Sequence, residues 1–371
     1  MHFRMNFFVL FLSALAYGAP AFCLTTPNIS ANALFLYRNS NFHKEDADPM
    51  NLDEKPNGLN VREMELQLSS DVDPYTRLNL LFSISPVYEA NGTGVEETWA
   101  LEPEEAYAES NVVPGVLLKI GKLKAFMGKH NLLHTHAAPF IESPLANTSL
   151  LGEEGLNDAG LSAGLLLPAS WFSELTLQYL RGKGENEEFR SPTPGEGVGL
   201  AHWKNLFDLS DDLTMEIGIS YAQGGNSYRE TTSLSGADWT LKWRPSEGGR
   251  YRSLVWAAEY LGRHQSQAGV PQEKGSGVTT WIQYQFAERW ASLYRYDTLS
   301  MKDSFDPVNL PNETWRRHSL AVVFSPSEFS SFKLEADQRT GGPKNANGDG
   351  TERSLFLQAN FTIGAHAAHA Y

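Results

Sequence analysis

From Leu355 to Ile363 apolar side chains fall on every second position: Leu355, Leu357, Ala359, Phe361 and Ile363 point one way, and Phe356, Gln358, Asn360 and Thr362 the other. Strict alternation means an extended strand with one apolar and one wet face. An apolar face next to lipid leaves no water for the backbone, so such a strand survives only in a ladder closed on itself. With an aromatic residue, Tyr371, at the end of the sequence, this is the pattern of the closing strand of a bacterial outer-membrane β-barrel.

The other end agrees with an exported protein. Residues 1–21 carry basic Arg4, an apolar run from Phe7 to Leu15 and the small-x-small site Ala19-Pro20-Ala21, the makings of a Sec signal peptide. The expected division is a signal peptide over 1–21 and a single barrel domain over 22–371, placed in the outer membrane. Phe22 before Cys23 argues against lipidation, and a lone cysteine forms no intrachain disulfide. Beyond the signal no apolar run reaches the roughly eighteen residues of a membrane helix. Mean hydropathy below zero is no obstacle, since alternation cancels it in a barrel. Fourteen Tyr and nine Trp suit interfacial girdles, and a formal charge of −14 argues against nucleic acid.

Alternating segments recur along the chain, each near the roughly nine to eleven residues of a tilted membrane strand. They fall at 29–38, 59–69, 76–86, 97–109, 116–127, 158–167, 171–182, 199–209, 212–223, 236–244, 252–263, 276–286, 289–299, 314–325, 330–340 and 353–364. The fold class is therefore all-β, a transmembrane antiparallel barrel of about 16 strands, wide enough for a water-filled channel. Short links at 70–75, 110–115, 168–170, 209–212, 245–251, 287–288 and 326–329 read as periplasmic turns. Long links at 39–58, 87–96, 128–157, 183–198, 224–235, 264–275, 300–313 and 341–352 read as extracellular loops. The third of these, 128–157, carries Pro139, Phe140, Ile141 and Pro144, too apolar for an exposed loop, and is expected to fold into the lumen.

Several stretches carry a family resemblance: G-L-N-V-R-E-M-E-L-Q-L from Gly58, D-V-D-P at Asp71, E-E-A-Y at Glu104, L-K-I-G-K-L-K from Leu118 and G-L-N-D-A-G from Gly155. They are similar to the phosphate-selective porin superfamily, and more closely to its uncharacterised relatives, some labelled zinc-regulated or TonB-dependent outer-membrane receptors. A TonB-dependent receptor needs a globular plug and about twenty-two strands, for which this chain has no room. The resemblance implies a homotrimer, and implies that Lys119, Lys122 and Lys124 match the basic strand of phosphate-selective porins. Lys119 differs in parity from the other two, so not all three can face the lumen.

Opposite the lipid rows lie Glu63, Glu65, Arg77, Glu216, Lys242, Arg244, Glu259, Arg263, Arg295, Asp297, Lys333, Glu335, Asp337 and Arg339. This mixed lining is either a set of selectivity charges or ordinary pairing of opposite charges across strands. The segment 96–109 holds Glu96, Glu97, Glu102, Glu104, Glu105 and Glu109 with no basic residue; its carboxylates neutralise the neighbouring lysines or attract divalent cations. Acidic loop residues could also share ions with lipopolysaccharide. His130, His134 and His136 fall together in the third long loop, with Glu142 as a further carboxylate. Zinc takes such donors tetrahedrally at about 2.0–2.1 Å, although polar loop histidines without a metal fit the same spacing.

No G-x-S-x-G stretch or local nucleophile set appears in the mature chain, so no enzyme is expected. Trp239, Trp243, Trp256 and Tyr260 share a lipid-facing patch that serves as a girdle or as a subunit contact. The leading reading is an outer-membrane porin through which small hydrophilic solutes or ions diffuse without energy coupling. The rival is a surface-binding barrel whose loops capture a divalent metal or a partner. Far-UV circular dichroism of the purified protein in detergent should show β structure, and unboiled protein should migrate anomalously on a gel; a helical spectrum would reject the fold.

Overall fold

The computed structural model describes residues 26–42, 56–91, 94–184, 186–246, 251–302, 314–342 and 348–364. Among these, sixteen strands follow in chain order. They are β1 (Asn28–Ser40), β2 (Gly58–Asp73), β3 (Thr76–Asn91), β4 (Gly94–Ser110), β5 (Val116–Lys124), β6 (Asn157–Leu166), β7 (Phe172–Leu180) and β8 (Val198–Ser210) in the first half. The second half contributes β9 (Leu213–Gly225), β10 (Thr231–Trp243), β11 (Ser253–Gln267), β12 (Val270–Ala287), β13 (Trp290–Lys302), β14 (Thr314–Ser327), β15 (Ser330–Thr340) and β16 (Thr351–Gly364). Each pairs antiparallel with its chain neighbour, and β1 pairs with β16, from Ala31 opposite Ile363 to Ser40 opposite Ser354, so the sheet closes into a barrel.

Alternation decides which face each strand presents. On β16 Leu355, Leu357, Phe361 and Ile363 are exposed on the outer wall, whereas Phe356 and Gln358 are buried inside. The same rule puts Trp256 and Tyr260 of β11 outside, with Trp239 edge-on to Trp256 at 5.0 Å. The short connections are turns, and their chemistry is local: at the β2–β3 turn the Asp73 carboxylate accepts from the Tyr75 backbone N–H at 2.8 Å.

The strands depart from the sequence expectation at the end of the barrel that carries the long loops. Of the expected loops 87–96 and 264–275, residues 87–91 and 94–96 extend the β3–β4 hairpin and 264–267 and 270–275 the β11–β12 hairpin, and β10 starts at Thr231. Past the apolar band both faces of a hairpin are wet, so the alternation fades while the backbone groups keep pairing. At β5 the difference is reversed: the strand ends at Lys124, and Ala125, Phe126 and Met127 leave the sheet. The signal segment, Cys23, His366, His369 and Tyr371 lie outside the described residues.

The inner wall is not uniformly polar. Leu180, Leu200, Ala222, Leu234, Leu261 and Leu299 are buried in one cluster with Met127 and with α1 (Leu145–Leu151) of the β5–β6 connection. A second patch sets Phe140 against Trp281, and a third sets Ile141 between Leu36 and Phe356. Apolar side chains on an otherwise wet face stay out of water only if something covers them, and here the β5–β6 connection does. Leu357 tests the assignment of faces: Leu357→Arg, on the outer wall, should lower unfolding stability in lipid vesicles by about 2–4 kcal/mol if near the bilayer midplane, while Leu357→Ile should be nearly silent.

Candidate functional site

The β5–β6 connection, residues 125–156, is tied to the inner faces of strands around the whole barrel. Its two ends are joined at the base by Asn131. That side-chain amide donates to the carbonyls of Ala125 and Leu156, at 2.8 and 3.0 Å, and its oxygen accepts from the Leu156 N–H at 2.8 Å. Gly155 makes room for this: it has φ of +69°, and a Cβ there would stand 2.2 Å from Asn131 Oδ1.

Glu259 of β11 forms the next anchor. One carboxylate oxygen accepts from the backbone N–H groups of Lys129 and His130, at 2.8 and 2.9 Å, and the other from the Asn147 amide at 3.1 Å. Gly128 sits at φ of +70°, and a Cβ there would lie 2.7–2.9 Å from that carboxylate. Lys129 Nζ then donates to Glu216 at 2.8 Å and to Thr240 at 3.3 Å.

Across the barrel the partners are mostly basic. Arg295 of β13 donates to the Glu142 carbonyl, stacks over Phe140 at 4.6 Å and pairs with Asp297 at 3.1 Å. Arg317 donates to the Ser143 carbonyl at 3.0 Å, Lys333 donates to the Ala138 carbonyl at 2.9 Å, and Glu335 accepts from the Ile141 N–H at 2.8 Å. Arg339 and Arg38 both reach Glu352, at 2.7 and 3.2 Å. The guanidinium groups thus spend part of their charge on loop carbonyls and part on carboxylates of adjoining strands, which lowers the cost of holding them away from water.

On the β2–β4 side the loop meets carboxylates instead. His134 Nδ1 lies 2.6 Å from Glu104 and its Nε2 3.2 Å from Glu105. His136 Nδ1 lies 2.5 Å from Glu65, and the two imidazoles stack nearly parallel at 6.1 Å. Burial alone would lower the His134 pKa, but its hydrogen bonds to Glu104 and Glu105 outweigh that and raise it to about 9. His130 lacks such acceptors at its ring; burial, with the charges of Arg295 and Lys124, lowers it to about 3. Glu63, Glu65 and Glu104 bring carboxylate oxygens within 4.8 Å of one another, all three residues being buried.

The residues singled out from the sequence fall into different places. Arg263, Arg295, Asp297, Lys333 and Glu335 are buried on the inner wall, Arg263 paired with Glu188, Glu259 is half-buried there, and Lys242 shares the inward parity of Asp238 and Thr240. Arg244 lies past the end of β10, exposed in the following turn. Lys119 is the inward lysine of β5, 3.6 Å from Glu109 and over the Tyr107 ring. Lys122 stands opposite Ala106 and Ala159, on the face of the exposed Ile120. Lys124, at the strand end, donates from Nζ to the Leu133 carbonyl at 2.9 Å.

The set His130, His134, His136 and Glu142 is not assembled as one shell. His130 lines a cavity of about 60 Å³ with His134, Lys124 and Glu104, while Glu142 lines a separate one with Arg317, Arg339 and Glu352. What sequence reading missed is the pairing of His134 and His136 with Glu65, Glu104 and Glu105. The one available signal was the matching two-residue spacing of Glu63 with Glu65 and of His134 with His136.

No protein-family model matches the chain. An uncharacterized protein of Aquifex aeolicus is 28% identical over 348 residues, spanning 85% of this chain and 70% of that one. Among solved structures, the outer membrane channel DcaP of Acinetobacter baumannii superposes with a TM-score of 0.60 at 11% identity, covering 91% of this chain and 97% of its own. The trimer form of OmpT, an outer membrane protein of Vibrio cholerae, superposes at 0.57 with 8% identity, covering 91% and 99%. At such identities the likeness is one of fold: the chain has the closed barrel architecture of outer-membrane channels.

The Glu259 anchor can be broken without touching Glu259. Gly128→Ala adds a methyl group against the carboxylate in a backbone conformation costing roughly 1–3 kcal/mol for a non-glycine residue. Hydrogen exchange of the Lys129 and His130 amides should accelerate by about five- to 150-fold over that range, while strand amides of β14 and β15 keep their protection.

Proposed function

We propose that the protein is an outer-membrane porin that admits small hydrophilic solutes or ions by diffusion, with the 125–156 loop folded into the lumen to set the aperture. The observation carrying this reading is that the loop bonds to inward-facing side chains on opposite walls of one closed barrel. Lys333 and Glu335 hold it on one side, and Glu65, Glu104 and Glu259 hold it on others. A segment pinned at so many bearings narrows a sixteen-stranded channel without an energy-coupled partner. The lining carries both signs, so selectivity rests on whichever charges remain free of loop contacts. Lys119 of β5, paired with Glu109 of β4, is the group through which the phosphate-selective resemblance would act.

The outer aromatic patch around Trp239, Trp256 and Tyr260 suits either a lipid girdle or a subunit contact, and the trimer form of the similarly folded OmpT favours a homotrimer. Lipopolysaccharide would surround the exposed wall. The decisive measurement is planar-bilayer conductance of purified protein: stepwise openings are expected, with larger steps from Glu259→Gln, which weakens the loop anchor. A folded barrel that never conducts would reject the porin and favour the surface-binding reading.

A further inference from the structure

We propose that Glu63, Glu65 and Glu104, with the loop imidazole of His136, form a site for one divalent transition-metal ion that staples the 125–156 loop to the barrel wall. The site belongs to neither the anchors at Glu259 nor the arginine wall. Glu63 and Glu65 sit two residues apart on β2, and Glu104 comes from β4. Antiparallel pairing with β3 between them would ordinarily hold like charges well separated. A register shift between Leu81 and Phe82, opposite Glu105 and Pro103, leaves Glu104 as the extra residue of a β-bulge. Bulges re-aim side chains, and Glu104 is buried with an oxygen within 4.8 Å of the other two carboxylates.

One feature beyond the clustering points to a cation. Glu65 is 4% exposed, and its Oε1 has no hydrogen-bond partner although its Oε2 faces His136. A buried carboxylate oxygen with nothing to accept from carries a desolvation cost that a bound cation would offset. The three buried carboxylates also repel one another at this separation, which a cation among them would relieve.

The donor set selects the class of metal. Three carboxylate oxygens alone would suit calcium or magnesium, which take oxygen ligands in larger number. An imidazole nitrogen shifts the preference to borderline ions such as zinc or manganese. His134, bonded to Glu104 at 2.6 Å, would serve to orient that carboxylate, as outer partners of metal ligands do. Because the oxygens come from the wall and the nitrogen from the loop, occupancy would couple metal binding to loop docking.

The test is calorimetric titration of zinc, with calcium in parallel, into the detergent-solubilised barrel stripped by chelator. The expected result is one saturable zinc site per chain, tighter than calcium, with affinity lowered at least tenfold by Glu65→Gln and by His136→Ala, and unchanged by His318→Ala on the outer wall. Heat-modifiable gel migration and circular dichroism establish that each variant is folded. Hydrogen exchange supplies a second readout: zinc should slow exchange of loop amides near His136 in the wild type and leave them unaltered in Glu65→Gln. Absence of saturable zinc binding in the wild type, or equal zinc affinity in the wild type and folded Glu65→Gln, would overturn the proposal. Neither result depends on whether the barrel conducts.

Discussion

The rest of the structure depends on backbone hydrogen bonding in a medium without water. Each unpaired N–H or C=O in hydrocarbon costs several kcal/mol, so the first strand must find the last. Here β1 meets β16 over eleven paired positions, from Ser30 with Gly364 to Ser40 with Ser354. Once the ladder is closed, alternation sorts side chains to lipid or interior with no freedom left, because a slip of one residue would turn every face inside out. The aromatic and aliphatic rows outside and the charged rows inside are consequences of that closure.

Closure creates a second problem inside. A sixteen-stranded interior is too wide for wall side chains to fill, and charges lining it are expensive if partly dried. In the reading proposed above, the 125–156 loop answers both. Its helix α1 and Phe140 and Ile141 cover the apolar inner patches. Its carbonyls and N–H groups take up the arginines, Lys333, Glu335 and Glu259. Removing a buried charge from such a set leaves its partner uncompensated, which is the costly direction. The loop and the wall are therefore parts of one polar network, and motion of the loop would require several of these contacts to break together.

The barrel was legible in the sequence because its signal is local and repeated. All sixteen predicted segments overlap observed strands, and the inward placement of Arg295, Asp297, Lys333 and Glu335 follows from parity alone. Parity failed where the backbone departs from regular pleating or the strand ends. Arg244 falls past the end of β10 and Lys124 turns inward at the strand terminus, whereas Lys122, opposite in parity to the inward Lys119, takes the outer face as alternation requires. The apolar inner residues Leu180, Leu234 and Leu261 were visible as breaks in the alternation, yet a break alone does not say what covers it. The histidines were recognised as a group, but their carboxylate partners are some 30 and 70 residues away in sequence, and a bulge at Glu104 brings one of them into reach.

The sequence by itself determined the strand periodicity, the two faces of the wall, the short turns at one end of the barrel, and the apolar character of the 125–156 connection. Those are properties of neighbours along the chain, and a period of two residues suffices to state them. The tertiary structure alone decided which inward charges meet, where the loop is anchored, and how His134 and His136 come to face Glu65, Glu104 and Glu105. Such meetings depend on the register of closure and on bulges, which rotate whole strands about the barrel and leave no mark in the local pattern.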